Sequence, residues 1–310
     1  MNHNVSFSLA STLGGQQMRA PGTHFILPIL FALIYGSGFV GAKYGLPYSP
    51  PLTFLLIRFA MAATLIAFLA VLLRAPWPSL RQGMHIAVAG LLTVGTFSAG
   101  VFVSIHLGIS PALSALIIAL QPLLVAVLAS RVVGEHVTVR QWTGLFVGFI
   151  GVALVVGQKI HLEGAGLFAI GMSVLGLLGV TMGNLYQKRF CAQMSVFTGG
   201  AIQSAASALL CLPAALLFET ISVDWSGEFI AALLYMTVGV SCGALTLLYI
   251  MIRRGDVSRV ASVFYLVPVS AAAASFLIFD EALDPWVLAG MVIVAVGVLT
   301  VHLKPSRRNQ

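Results

Sequence analysis

The sequence predicts an all-α membrane protein with ten transmembrane helices arranged as two inverted five-helix repeats. Its composition gives the first reason: of 310 residues, 59% are hydrophobic and only 8% are charged, with a mean hydropathy of +1.02. A soluble domain of this size needs more polar surface, so the chain is predicted to lie in a membrane. The second reason is a segment at residues 115–155 that recurs, without a gap, at residues 261–301.

The repeat is carried by positions that two unrelated apolar segments would not share by chance. The recurring pairs are Pro122 and Pro268, Glu135 and Glu281, Gly144 and Gly290, and Gly151 and Gly297. A weaker match joins the Thr-Val-Gly sequence of residues 93–95 to that of residues 237–239. Each copy reads as an apolar helix containing a proline, an acidic break and a glycine-bearing helix, so the chain is predicted to consist of two related halves.

Ten apolar runs, each about 20 residues long, could cross a bilayer core of about 30 Å. They lie near residues 25–45, 51–73, 84–107, 111–131, 139–157, 164–187, 195–218, 229–252, 257–279 and 285–303. Backbone groups in lipid must pair internally, and the runs show no strand-like alternation, so they are predicted to be helices. The chain then divides into a tail at residues 1–23, repeats at residues 24–157 and 158–303, and a tail at residues 304–310. Residues 10–18 resemble an expression leader.

The positions of Lys and Arg predict that both termini lie in the cytoplasm. With the N-terminus inside, thirteen of the 16 cations face the cytoplasm, two face outside (Lys43 and Lys159), and Arg58 lies within helix 2. This bias follows the positive-inside rule, so the net charge of +7 reflects topology and does not indicate nucleic-acid binding. Pro122 in helix 4 and Pro268 in helix 9 are five crossings apart, so the two halves are inverted, as in many secondary transporters.

Several motifs resemble the drug/metabolite transporter superfamily of the EamA type: residues 35–40 (Tyr-Gly-Ser-Gly-Phe-Val) with Lys43, Arg58 followed by Phe59, and the recurring proline, acid and glycines. The resemblance covers nearly the whole chain and is strongest to YddG-type bacterial exporters of aromatic amino acids. It implies export of small metabolites, above all aromatic or other neutral amino acids, across the cell inner membrane by alternating access. It also implies no cofactor, and a small-molecule substrate and the lipid bilayer as partners. Other metabolites or drugs are the alternative substrates.

Helices 4 and 9 carry residues predicted to line a cavity between the halves. Pro122 and Pro268 interrupt their helices, either as hinges beside the cavity or as static kinks. Gln121 lies in mid-membrane and needs a partner, which could be the substrate or another helix. Ser262 and Tyr265 lie on the polar face of helix 9 and are predicted to meet the substrate.

Three cations in or near the membrane are candidates for gating or charge recognition. Arg58 lies about seven residues, or roughly 10 Å, into helix 2, where it could clamp a substrate carboxylate or bond to helix-end carbonyls. Lys43 ends helix 1 on the outside and Lys188 ends helix 6 on the inside, so each is expected either to reach the headgroups or to act as a gate. Gln203 stands where symmetry with Arg58 would place an arginine, and it inherits no role from it.

Further substrate contacts are predicted on the remaining helices around the cavity. They are Tyr35 and Ser37 in helix 1, Phe97 in helix 3, Thr181 and Asn184 in helix 6, and Tyr249 in helix 8. The polar groups could hydrogen-bond a substrate, and the rings could stack on an aromatic one. Each ring could equally serve only to pack the core.

All nine acids lie in loops or at helix ends. Glu135 and Glu281 are predicted to cap the N-termini of helices 5 and 10. Proton-coupled carriers commonly hold a carboxylate inside the membrane, and this sequence has none there. We therefore expect downhill movement of a neutral zwitterion without proton or sodium coupling.

Two other classes of protein are weighed, a channel and an intramembrane serine hydrolase. Residues 239–243 match G-x-S-x-G around Ser241, but no histidine base is expected within hydrogen-bond reach, so an enzyme is not predicted. Three cysteines suggest neither disulfides nor a metal site. Most of the small-residue pairs are predicted to pack helices within one protomer, and a homodimer face is left open. These pairs are Gly144 and Gly148, Gly179 and Gly183, and Gly239 and Gly243.

Overall fold

A computed structural model describes residues 23–109, 111–157, 166–279 and 284–302, and within these ranges it contains helices but no strand. The first half has α1 (Thr23–Gly45), α2 (Pro51–Leu72), α3 (Leu80–Gly90), α4 (Phe97–His106), α5 (Pro111–Ile118), α6 (Gln121–Val132) and α7 (Val139–Gly157). The second has α8 (Leu167–Phe190), α9 (Val196–Phe218), α10 (Gly227–Leu234), α11 (Leu245–Arg254), α12 (Val257–Ser262), α13 (Leu266–Phe279) and α14 (Pro285–His302). The predicted all-α class is therefore confirmed.

Eight continuous helical stretches among the described residues are long and apolar enough to cross a membrane. They are Pro51–Leu72, Leu80–His106, Leu113–Val132, Val139–Gly157, Leu167–Phe190, Val196–Phe218, Gly227–Arg254 and Pro285–His302. Two further apolar helices, Ile26–Gly38 and Val257–Ser270, are shorter. The chain is thus an all-α membrane protein with eight candidate spans and two shorter apolar helices.

Two of the spans contain a stretch of π-helix, in which the turn is wider than in an α-helix. One stretch, Leu91–Thr96, joins α3 to α4, and the other, Tyr235–Ala244, joins α10 to α11. They fall on the two copies of the Thr-Val-Gly sequence at residues 93–95 and 237–239. π-Helical turns are rare in proteins, and many of those that exist lie at functional sites. The middle of both spans is therefore a candidate functional region.

Both recurring prolines lie just after a break in their helix. Residues 119–120 separate α5 from α6, and Pro122 is in the first turn of α6. A 3₁₀ turn, Val263–Tyr265, separates α12 from α13, and Pro268 is the third residue of α13. Proline has no N–H and crowds the carbonyl four residues earlier, so it is tolerated at a helix start and disrupts the ladder before it. The predicted interruptions are present in both helices.

Glycines hold α7 against α14 in close backbone contact inside the protomer. A Cβ added at Gly297 would lie 2.5 Å from the nitrogen of Gly148, and one added at Gly151 would lie 2.6 Å from the nitrogen of Val294. No side chain fits at such distances, which explains why both copies of the repeat carry glycine there. By contrast, a Cβ added at Gly243 would meet nothing nearer than 3.5 Å, so this glycine is not one that close packing requires.

The helices of the two halves pack on one another around the centre of the molecule. Helix α1 packs on α13 and on the second π-helical stretch, while α8 packs on α6, α4 and the first π-helical stretch. Helices α2 and α9 form one lateral pair, and α7 and α14 form another. Helix α6 also packs on α12. Most of the polar residues proposed for the site lie on α1, α2, α6, α8 and α12, or in the short turns next to these helices.

Candidate functional site

Arg58 is the charged group that the described part of the chain buries most completely. It is 5% exposed at the eighth position of α2, and its Nε donates a hydrogen bond of 2.9 Å to the Oγ of Ser241. The guanidinium carbon lies 5.3 Å from the centre of the Phe59 ring. Among the described residues, no carboxylate lies within ion-pair distance of it. An uncompensated buried charge costs roughly several kcal/mol, so an anionic ligand would be favoured beside this arginine.

Aromatic rings from three segments of the chain pack on Tyr35, a neighbour of this arginine. The Tyr35 ring stacks on Phe31 with centres 5.0 Å apart and on Phe97 with centres 6.3 Å apart. Phe264 meets Tyr35 edge to face at 5.8 Å. Tyr35 lies within electrostatic range of both Arg58 and Tyr249. We call the group formed by Tyr35, Arg58, Phe97, Ser241, Tyr249 and Phe264 the arginine cluster.

The arginine cluster combines predicted and unpredicted residues. Sequence reasoning proposed Tyr35, Arg58, Phe97 and Tyr249 separately, and the structure brings them together. It did not propose Phe264, because a phenylalanine in an apolar helix carries no distinguishing signal.

Ser241 was considered only as a hydrolase nucleophile. Its hydroxyl accepts a hydrogen bond from Arg58 instead. No histidine contact to this hydroxyl occurs within the described ranges. The G-x-S-x-G match is therefore coincidental.

A second set of polar groups is buried without hydrogen-bond partners within the described structure. Both amide atoms of Gln121, the Oδ1 of Asn184, the Oγ of Ser258 and the hydroxyl of Tyr265 are unpaired. None of these residues is more than 2% exposed. Leaving one such group unpaired costs about 1–3 kcal/mol, so these four side chains are candidates to bind water or a ligand.

The two π-helical stretches each add one unpaired hydroxyl. Thr93 in the first stretch and Thr237 in the second are at most 3% exposed, and the Oγ1 of each lacks a partner among the described residues. These threonines are 144 positions apart and belong to the recurring Thr-Val-Gly sequence. The same local conformation and the same unsatisfied group thus occur once in each half.

Three hydroxyls proposed for substrate contact are already hydrogen-bonded inside the protein. Thr181 donates to the carbonyl of Leu177 at 2.7 Å, and Ser262 donates to the carbonyl of Arg259 at 2.7 Å. Ser37 bonds to carbonyls of its own helix and to the hydroxyl of Tyr235. A substrate would have to displace or share these bonds, whereas Gln121 and Tyr265 are available without any exchange.

Lys188 holds the last turn of α11. Its Nζ donates to the carbonyl of Ile252 at 3.0 Å and to that of Gly255 at 2.6 Å. A cation at a helix C-terminus is favoured by the helix dipole and satisfies carbonyls that have no partner in the helix. The Lys188 ammonium is therefore bonded within the protein, and its reach to the headgroups and its role as a gate stay predictions. The side chain of Lys43 lies outside the described residues.

Glu135 caps α12, and the prediction that it caps the following helix is wrong. Its carboxylate accepts the backbone N–H of Val257 at 3.0 Å and that of Ser258 at 3.4 Å. The following helix, α7, has its own cap, because Thr138 and Gln141 bond reciprocally as in a capping box. Glu281 lies outside the described residues.

The described residues include no group of three or more His, Cys, Asp or Glu side chains placed to hold a metal ion. The centre of the molecule instead offers one buried cation, stacked rings and neutral hydrogen-bonding groups. Such a set can bind and orient a small organic molecule, but it contains no assembled nucleophile and base.

Comparison with known proteins gives a consistent result. A protein of Bacillus subtilis (strain 168) named as an uncharacterized transporter, YvbV, is 28% identical over 93% of this chain and 95% of its own length. A probable amino-acid metabolite efflux pump of Escherichia coli (strain K12) is 23% identical over 88% of this chain and 92% of its own. A solved crystal structure shares the fold, with a TM-score of 0.76 at 19% identity, over 92% of this chain and 98% of that one.

The family comparison matches both halves of the chain. The pattern of the EamA-like transporter family fits residues 23–157 and fits again at residues 166–303. Members of this family are transporters and not enzymes, which confirms that no catalytic site is to be sought here. The chain belongs to the EamA-like transporter family, within the drug/metabolite transporter superfamily.

Proposed function

We propose that this transporter exports small neutral amino acids, aromatic ones above all, across the cell inner membrane by alternating access. The efflux pump of Escherichia coli is named for amino-acid metabolites, and it covers most of this chain. The arginine cluster offers a charge for a carboxylate and rings for an apolar side chain. Export of other metabolites or drugs is the alternative within the same class.

The proposed architecture has ten spans in two inverted repeats, with both termini in the cytoplasm. It adds α1 and the α12–α13 helix to the eight candidate spans. Two observations support the repeat. The family pattern fits each half separately, and the packing of α1 on α13 has its counterpart in the packing of α8 on α6. The positive-inside bias supports the orientation.

In the proposed cycle this structure is the state closed toward the cytoplasm. At that end α6 packs on α12 through Val125, Ala129, Val257 and Ala261, all of them buried. At the other end the two spans have different main partners, because α5 packs on α7 and α8 while α13 packs on α1 and α7. Bending at the breaks before Pro122 and Pro268 would open the cytoplasmic end and close the opposite end.

The observation that carries the proposal is the set of buried polar groups without partners. Folded proteins pair the large majority of such groups, so an unpaired one indicates an absent partner. Here Thr93 and Thr237 are unpaired at related positions of the two halves, and Gln121 and Tyr265 are unpaired beside the two helix breaks. This distribution supports a cavity along the repeat interface that is filled with water or substrate in another state.

Substrate counterflow into proteoliposomes tests the proposal. Vesicles containing the purified chain and unlabelled L-phenylalanine should accumulate labelled L-phenylalanine without any ion gradient, because the outward gradient of unlabelled substrate drives exchange through the carrier. Gln121→Leu should reduce counterflow, since it removes both amide groups from the proposed cavity, while Gln193→Leu at an exposed position should not. Absence of counterflow across a panel of amino acids would refute the proposed substrate class, and single-channel current would indicate a channel.

A further inference from the structure

We propose that Arg58, held by Ser241, binds the carboxylate of the substrate, and that Tyr35, Phe97 and Phe264 receive its apolar side chain. The substrate class is then a small carboxylic acid with an aromatic or bulky apolar group. This inference rests on the proposed function and goes further, because it assigns the charge that the substrate must carry.

The charge of Arg58 has no counter-ion among the described residues. Arg58 is 5% exposed, and no described carboxylate pairs with it. The acid that lies at the start of the same helix is occupied elsewhere, because Glu219 accepts the N–H groups of Leu52 and Thr53, both at 2.8 Å. The guanidinium therefore lacks an anion from the described protein, and a substrate carboxylate would supply one.

One guanidinium nitrogen of Arg58 is held by the protein, and the other two are left for a ligand. Its Nε is fixed by the 2.9 Å bond to Ser241, and Ser241 lies in the second π-helical stretch. No described residue accepts a hydrogen bond from the Nη atoms of Arg58, so these donors remain for a ligand. Planar guanidinium groups bind carboxylates through two parallel hydrogen bonds, a geometry that a lysine cannot provide.

Three aromatic rings form the surface proposed to receive the apolar side chain of the substrate. Tyr35 connects the charge to the aromatic surface, because it lies within electrostatic range of Arg58 and stacks on Phe97. Phe264 closes this surface edge to face with Tyr35 at 5.8 Å. The rings come from α1, α4 and the 3₁₀ turn between α12 and α13, and this turn lies at the break that bends in the proposed cycle. A ring in this place would contact both halves of the protein.

A competition experiment separates the charge requirement from transport itself. Counterflow of labelled L-phenylalanine is measured with three unlabelled competitors: 3-phenylpropionate, phenylalaninamide and phenethylamine. The first keeps the carboxylate and lacks the amine, and the other two keep the amine and lack the carboxylate. With the unsubstituted chain, the acid should compete about tenfold to a hundredfold better than the two amines, since it alone can pair the guanidinium.

Substitutions then locate the preference. Arg58→Gln should bring the ratio between acid and amine close to one, Arg58→Lys should retain part of it, and Ser241→Ala should lower it without abolishing it. The thermal shift given to the purified full chain by each compound provides a readout that does not depend on transport. If Arg58→Gln does not fold, the ratios of Arg58→Lys and Ser241→Ala decide.

The possible failures are distinguishable. If L-phenylalanine is transported but acid and amines compete equally, or if the ratio is unchanged in Arg58→Gln, the carboxylate site is refuted and the proposed function stands. If no amino acid is transported and none shifts the melting temperature, both fail together.

Discussion

Replacing Glu135 by glutamine should loosen the cytoplasmic end of the protein. The carboxylate accepts two backbone N–H groups at the first turn of α12, at 3.0 Å from Val257 and 3.4 Å from Ser258. It joins the loop after α6 to α12, and therefore the first half of the chain to the second. Glutamine has nearly the same size and can still accept one of these bonds, so the substitution removes chiefly the charge.

The magnitude follows from the two contributions that the charge makes. A negative charge at a helix N-terminus contributes about 0.3–1 kcal/mol. A hydrogen bond to a charged acceptor contributes about 1 kcal/mol more than a bond to a neutral one. With one bond of normal length and one long bond, the loss is about 1–2 kcal/mol, which corresponds to a factor of about 5–30 in the population open to the cytoplasm.

Cysteine labelling measures this population. Ala261 is 1% exposed and lies beneath the Glu135 cap between α6 and α12. In a background where Cys191, Cys211 and Cys242 are replaced, the rate of reaction of Ala261→Cys with N-ethylmaleimide should rise about fivefold or more on adding Glu135→Gln. The control is Glu228→Gln, which removes an exposed acid from the first turn of α10 and should leave the rate unchanged. Equal rates with and without Glu135→Gln would refute the role of the cap.

Three further outcomes are expected. Lys188→Met removes both bonds to the end of α11 and should raise the same labelling rate; no change would show that Lys188 does not hold this turn. Gly297→Ala places a Cβ 2.5 Å from backbone of α7 and should lower the melting temperature in detergent by several degrees, about 1–3 kcal/mol of stability, whereas Gly243→Ala should be tolerated. In intact cells an impermeant thiol reagent should label Ser222→Cys and not Arg81→Cys; the reverse would invert the proposed topology.

Features with local causes could be predicted from the sequence. An apolar composition dictates helices in lipid, and proline interrupts a helix through its own ring, so the all-α class and the breaks before Pro122 and Pro268 were accessible. Glycine at Gly144 and Gly148 indicated close helix contact, because a glycine lets a neighbouring helix backbone approach. Arg58 was also recognisable, since a charge inside an apolar run is rare enough to stand out.

Features that depend on distant partners could not be predicted. Glu135 was assigned to the next helix in sequence, but its partner N–H at Val257 is 122 residues away and meets it only after the two halves pack. Ser241 carried a motif that suggested chemistry, while its actual partner, Arg58, is 183 residues away. Phe264 gave no signal at all, because an aromatic ring among apolar residues looks the same in a cavity wall and in a core.

Paired distances across the two ends of the molecule test alternating access most directly. Spin labels at Ser130 and Arg254 report the cytoplasmic end, and labels at Leu107 and Phe276 report the opposite end; all four positions are exposed. Double electron–electron resonance on the purified chain in lipid should show two distances for each pair. Adding L-phenylalanine should change the two pairs in opposite senses and by the same fraction of molecules. A single unchanging distance at the cytoplasmic end, or both ends widening together, would contradict the account.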